Sequence, residues 1–162
     1  MTLRDPKSQP QPAAQMHFVI RETRPEDFDQ WLPLWESYNQ FYKRTVPLEV
    51  TRLTWTRFHD AQEPMYALVA EENGRLIGFT HFLYHRSTSL ENNICYLQDL
   101  FTIDATRNKG VGRQLIEAVY ERAKKAGLAR VYWQTHESNE IAQHLYRKIA
   151  DRSGFLVYRK VL

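Results

Sequence analysis

Residues 96–102 read Tyr96-Leu97-Gln98-Asp99-Leu100-Phe101-Thr102, and residues 107–113 read Arg107-Asn108-Lys109-Gly110-Val111-Gly112-Arg113. The first run has the apolar character of a buried strand. The second opens a segment in which Leu115, Ile116, Val119 and Ala123 form one helical face. A turn placed between such a strand and such a helix has a definite chemistry. The first N–H groups of a helix lack intrahelical partners and carry partial positive charge. Glycine lets that backbone approach a bulky anion, and Arg107 and Lys109 add charge. Such a turn can hold a pyrophosphate.

Two other phosphate motifs do not fit these letters. A P-loop closes on Gly-Lys-Ser/Thr, whereas Gly112 is followed by Arg113 and Gln114. The dinucleotide fingerprint needs a small residue three positions beyond its second glycine, where this chain has Leu115. A glycine-rich turn that binds nothing is the remaining alternative.

Working outward, His17 to Arg21 alternates as a first strand. Thr23, Pro25, Glu26 and Asp27 signal a helix start, and Phe28, Trp31, Leu34, Trp35, Tyr38 and Tyr42 follow at near-helical spacing, with Pro33 as a point of kinking. A second helix is expected over Leu48 to His59. Tyr66 to Ala70 and Leu76 to Tyr84 flank Asn73-Gly74, a pair that accepts positive φ, and so read as a hairpin. Ile94 to Ile103 is the next strand, and Gly127 a stop for the helix that begins near Gly110. A strand over Val131 to Thr135, a helix over Asn139 to Ala150 and a last strand over Phe155 to Val161 complete the order.

The chain has 162 residues, 43% of them hydrophobic and 25% charged, which predicts one packed domain over 16–162 behind a flexible tail at 1–15 that holds three of the prolines. A net charge of +3 comes from scattered basic residues rather than a dense run, so nucleic acid is not an expected partner. No segment has the length of a membrane span. Cys95 is the only cysteine, which excludes an intramolecular disulfide or a cysteine-based zinc framework, and no metal is expected. A soluble cytoplasmic protein is the resulting expectation.

The pattern Arg107-x-x-Gly110-x-Gly112 behind the strand 96–102 resembles the central motif of the GNAT acetyltransferase superfamily. Downstream, Tyr132-Trp133-Gln134-Thr135, Asn139, Ala142 and Leu145-Tyr146 resemble that superfamily's next strand and helix, and the likeness extends over residues 18–162. Through Tyr96-Leu97-x-Asp99-Leu100-Phe101 the chain is most similar to the histone- and polyamine-acetylating branch and to related uncharacterised bacterial proteins. The resemblance implies an α/β (α+β) fold, with a mixed, mostly antiparallel sheet of about six to seven strands flanked by four helices. It also implies an N-acetyltransferase that moves acetyl from acetyl-CoA to a primary amine in a ternary complex.

By the same resemblance, the pantetheine arm pairs with backbone of Leu100, Phe101 and Thr102 where two parallel strands splay. The diphosphate, in the turn opened by Arg107, meets N–H groups of Asn108, Lys109, Gly110, Val111, Gly112 and Arg113. Asn139 contacts CoA or caps its helix. Tyr146, on a face with Asn139 and Ala142, protonates the departing thiolate or packs its ring on the sheet.

In the polyamine branch that the chain resembles, a glutamate often stands where this chain has Gln98, and an amide cannot accept the proton. Asp99, His136 and Glu137 are candidates, each with a structural or solvated alternative, and no base is assigned. Trp31, Trp35, Tyr38, Phe41 and Tyr42 are either core or acceptor pocket, with Glu36 as an anchor for a cationic amine. A sensor of the same fold that binds acyl-CoA without turnover is the alternative function. Edge pairing by Phe155 to Val161 predicts a homodimer.

Overall fold

The computed structural model describes residues 17–162, so the expected tail at 1–15 lies outside the described residues. The elements are β1 (Phe18–Glu22), α1 (Phe28–Phe41), α2 (Leu48–Phe58), β2 (Met65–Glu72), β3 (Arg75–His85), β4 (Ile94–Thr102), α3 (Val111–Lys125), β5 (Val131–Tyr132) and α4 (Glu140–Ile149). Short 3-10 turns at Pro25–Asp27 and Asp104–Thr106 precede α1 and the phosphate-type turn. The strands lie in the order β1-β2-β3-β4-β5, antiparallel except for the parallel pair β4/β5.

Each face of the sheet carries its own apolar layer. Trp31, Leu34, Trp35 and Tyr38 of α1 and Trp55 of α2 pack on Val69, Leu76 and Phe79. On the other face Val111, Leu115, Ile116, Val119 and Ala123 of α3 pack on Leu68, Ile77, Phe82, Cys95 and Leu97. The four-residue period of α3 therefore buries the side that the sequence marked. α1 runs unbroken through Pro33, whose position is exposed and which removes one backbone hydrogen bond without splitting the helix. Asn73 and Gly74 sit at φ 52° and 77° between Glu72 and Arg75, the two-residue hairpin turn expected of that pair.

Two bulges re-aim the central strands. His81 is opposite Asp99 and Phe82 opposite Leu97, so Gln98 is an extra residue in β4. Strict alternation would put Leu97 and Asp99 on one face. Instead Leu97 joins the α3 layer while Asp99 and Phe101 turn to the α1 layer. A second irregularity at Ala70/Glu71 leaves Ile77 without a β2 partner.

Five strands form among the described residues, fewer than the six or seven expected. The strand predicted over Val131 to Thr135 is only Val131–Tyr132, because beyond Tyr132 the chain no longer pairs with β4. The strand predicted over Phe155 to Val161 is absent. Its residues have strand-like composition, but no backbone among the described residues pairs with them as a strand, and Phe155 and Tyr158 stand 89% and 90% exposed.

Candidate active site

β4 and β5 share only two register pairs, Cys95 with Val131 and Tyr96 with Tyr132. β4 then continues through Thr102 with β3 as its sole strand partner among the described residues. From Leu97 onward the β5 side of β4 is an open edge, which can bind an extended, amide-bearing chain as it would a strand. Leu100, Phe101 and Thr102 lie on that stretch, each half-buried. This is the splay that a sequence cannot display.

The end of β4 leads into the glycine turn. Asn108 and Gly110 adopt φ 66° and 78°, and Gly110 is the left-handed N-cap residue of α3. Gln114 N–H donates to the Gly110 carbonyl at 3.0 Å, so the N–H groups of Val111, Gly112 and Arg113 precede the first intrahelical bond. Arg107, Lys109 and Arg113 ring the turn but are engaged locally: Arg107 with Asp104 at 2.7 Å, Lys109 with Glu72 at 3.5 Å, Arg113 with Glu117 at 2.7 Å. These surface pairs are weak and can be exchanged for phosphate oxygens.

Gly112 is informative because nothing in the protein demands it. Its φ is not positive, and a methyl placed there would lie 3.9 Å from both Thr102 Cγ2 and Leu145 Cδ2, ordinary contact distances. Space at this position, bounded by β4 and α4, suits close approach of a ligand to backbone. Gly78, by contrast, is required by packing. A Cβ there would meet the Phe101 carbonyl oxygen at 2.7 Å.

α4 brings Tyr146 over the sheet, its ring edge-on to Trp133 at 5.3 Å between centroids. Burial, with a smaller contribution from Tyr42, pushes the Tyr146 hydroxyl up to about 12, so it holds its proton at neutral pH. Asn139 caps α4, its Oδ1 accepting from Ala142 N–H at 3.3 Å. That satisfies the capping half of its expected alternatives and does not test a contact with CoA.

Of the aromatic residues foreseen as core or pocket, Trp31, Trp35 and Tyr38 are core, whereas Phe41 and Tyr42 are 63% and 38% exposed. Tyr42 packs on Tyr38 at 5.1 Å and lies close enough to influence Tyr146, a proximity with no signal in the sequence. Glu36 lines a concavity of about 530 Å³ between α1 and α2, together with Trp35, Asn39, Lys43 and Arg44. Neither Tyr146 nor the glycine turn lines it, so it is separate from the open edge of β4.

Gln98 is exposed on its bulge. Asp99 is buried, and His81 Nδ1–H donates to its Oδ2 at 3.0 Å. Trp31 Nε1–H, which can only donate, meets His81 Nε2 at 3.0 Å, and this fixes the neutral, Nδ1-protonated tautomer. Burial, followed by the charge of Asp99, raises the Tyr38 hydroxyl far above its ordinary value. Asp99 therefore anchors a buried network, the structural one of its two expected roles. His136 is exposed, with Nδ1 2.7 Å from Ser138 Oγ, and Glu137 is exposed as well. Cys95 is fully buried, and burial pushes its thiol up to about 12, which makes it a poor nucleophile.

Comparison with known proteins agrees with this geometry. Residues 27–150 match the model of the Acetyltransferase (GNAT) family. The chain is 36% identical over 154 residues to the D-amino-acid N-acetyltransferase HPA3 of Saccharomyces cerevisiae, covering 94% of this chain and 96% of that protein. It is 30% identical over 141 residues to the uncharacterised N-acetyltransferase YhfO of Bacillus subtilis, covering 86% and 94%. Among solved structures, the aminoglycoside N-acetyltransferase AAC(6')-Iy in complex with CoA superposes with a TM-score of 0.78 at 18% identity, covering 90% of this chain and 95% of that one, a likeness of fold. Sequence, open β4 edge and glycine turn converge: the chain belongs to the Acetyltransferase (GNAT) family and is an acetyl-CoA-dependent acyltransferase.

Proposed function

We propose that the chain transfers acetyl from acetyl-CoA directly to a primary amine, with Tyr146 as the proton donor to the leaving thiolate. The observation that carries this reading is the convergence at Gly112, where the end of β4, the start of α3 and Leu145 of α4 meet, with Thr102 Cγ2 and Leu145 Cδ2 each 3.9 Å from where a Cβ would stand. That arrangement sets the N–H groups of Asn108 to Arg113 at one end of the open stretch Leu100 to Thr102, and it places Tyr146 on the helix that borders it. Acetyl-CoA supplies an activated thioester. The amine nitrogen bonds to its carbonyl carbon, the C–S bond breaks, and the sulfur takes the Tyr146 proton, which solvent restores. A second proton leaves the attacking nitrogen for water, since Gln98 cannot accept it.

Direct transfer fits the inert, buried Cys95, which also suits a reducing cytoplasmic setting. For the acceptor, free amino acids are the first class to assay, because the Saccharomyces cerevisiae relative carries that activity in its name. Exposed Phe41 and Tyr42 would flank the amine. Isothermal titration with acetyl-CoA, followed by an amine panel scored for free CoA thiol, tests both halves. Absence of binding at high micromolar acetyl-CoA would end the proposal. Binding without thiol release on any amine would favour the second reading, an acyl-CoA sensor, which the exposed amide of Gln98 at the bulge supports.

A further inference from the structure

The proton that the attacking nitrogen sheds has water as its first acceptor, and the protein holds a group that can take it further. The last residue of β5 to pair with β4 is Tyr132, opposite Tyr96, and the two rings stack at 5.1 Å between centroids. Cys95 and Leu97 belong to the α3 layer, so Tyr96 between them, and Tyr132 stacked on it, lie on the opposite face of the sheet. Trp133, the next residue, joins the α3 layer and meets the ring of Tyr146. Where the strands part, Tyr146 therefore stands on one face and Tyr132 on the other.

His85 of β3 shares the Tyr132 face, since Phe82 and Tyr84 pack toward α3. Its Nδ1 is 2.8 Å from the Arg86 carbonyl oxygen and its Nε2 2.8 Å from the Tyr132 hydroxyl. A carbonyl only accepts, so Nδ1 carries the ring proton, and the Tyr132 hydroxyl donates to the free lone pair on Nε2. Burial raises that hydroxyl above its ordinary value, so it keeps a proton to pass on. The other histidines offer no such arrangement. His81 has both nitrogens engaged, by Trp31 and Asp99, and His17, His59, His136 and His144 are exposed. The further ionisable groups around the pair are Tyr96, with Asp99 beyond it, Cys95 across β4, Arg86 beside His85 and Arg130 before β5.

We propose that Tyr132 and His85 are the proton relay for the amine. As the nitrogen bonds to the thioester carbonyl carbon, its proton passes through one water to the Tyr132 oxygen, and the Tyr132 proton passes to His85 Nε2. The C–S bond breaks and the sulfur takes the Tyr146 proton. The His85 imidazolium then returns its proton to solvent, with Nδ1–H still on the Arg86 carbonyl. His85 acts through Tyr132, and the relay serves the nitrogen from the face opposite the acid that serves the sulfur. This inference rests on the direct transfer proposed above.

Turnover at saturating acceptor, followed from about pH 5 to about pH 10 with two amines of different basicity such as alanine and alanine amide, tests it. Wild-type kcat should fall on the acidic side along a one-proton limb that is the same for both amines, because the titrating group belongs to the protein. His85→Gln should lower kcat about 100-fold at neutral pH and abolish that limb, with KM for acetyl-CoA unchanged. Tyr132→Phe, which keeps the ring on Tyr96, should lower kcat by a similar factor. A limb that is missing from the wild type, survives in His85→Gln, or shifts with the basicity of the amine overturns the relay while direct transfer stands. So does wild-type turnover in Tyr132→Phe, which decides the matter even where His85→Gln fails to fold. A wild type that releases no thiol with any amine overturns direct transfer and the relay together.

Discussion

His81 and Asp99 face each other across β3 and β4 with Nδ1 and Oδ2 3.0 Å apart, Asp99 immediately following the extra residue Gln98. The bulge makes this pairing. Without it Asp99 would share a face with Leu97 and enter the apolar layer under α3. With it the carboxylate reaches the ring that Trp31 orients from α1, and Gln98 is left outside at the mouth of the open β4 edge. A carboxylate held this way braces α1, and with it Tyr42, against the strand that forms one wall of the site.

Asp99→Ala should accordingly cost stability. It leaves the His81 Nδ1–H without its buried acceptor, a loss of about 1–3 kcal/mol from one unsatisfied donor. Urea unfolding monitored by tryptophan fluorescence reads it, since Trp31 belongs to the same network. A midpoint equal to wild type would show that the network does not brace the fold.

Gly112→Ala separates folding from binding. The methyl has room beside Thr102 and Leu145, and alanine lowers the entropy of the unfolded chain, so stability should be unchanged or rise by about 0.5 kcal/mol. Affinity for acetyl-CoA should fall at least ~10-fold, equivalent to about 1.4 kcal/mol. Thermal melting and titration of the same preparation give both numbers. Loss of stability together with affinity would mean that the glycine serves packing.

Tyr146→Phe removes the proposed acid while keeping the ring on Trp133. The turnover number should drop about 100-fold, with little change in KM for acetyl-CoA. With the hydroxyl pushed up to about 12, the wild-type rate should show no alkaline loss traceable to this group between pH 7 and about 10. An unchanged turnover number in the variant across that range would remove the acid role.

Asp27 gives a pH test of stability away from the site. It is 5% exposed, and the Arg21 guanidinium donates to both its oxygens at 2.6 and 2.9 Å, which holds its carboxyl below the ordinary range. Its contribution is therefore complete above the unfolded value of about 3.9 and is lost as pH falls through the lower folded value. Asp27→Asn should be about 2 kcal/mol less stable at pH 7, and the gap should begin to narrow only below about pH 4, as pH falls toward the lower folded value. Denaturant titrations at pH 7, 5 and 3 measure it.

Local composition determined most of the elements and the phosphate-type turn. Asn73-Gly74 closes its hairpin, the α3 periodicity buries its face, and Gly110 takes the left-handed angle, because turn geometry and amphipathic burial depend on residues close in sequence. Tertiary structure decided what depends on neighbours distant in sequence. One is the bulge that sends Asp99 to His81. Another is the parting of β5 from β4 after two residue pairs, which opens the edge on which acyl-CoA binding is proposed. The last is the fate of Phe155 to Val161, whose strand-like letters cannot become a strand until a second backbone lies beside them to accept and donate its hydrogen bonds.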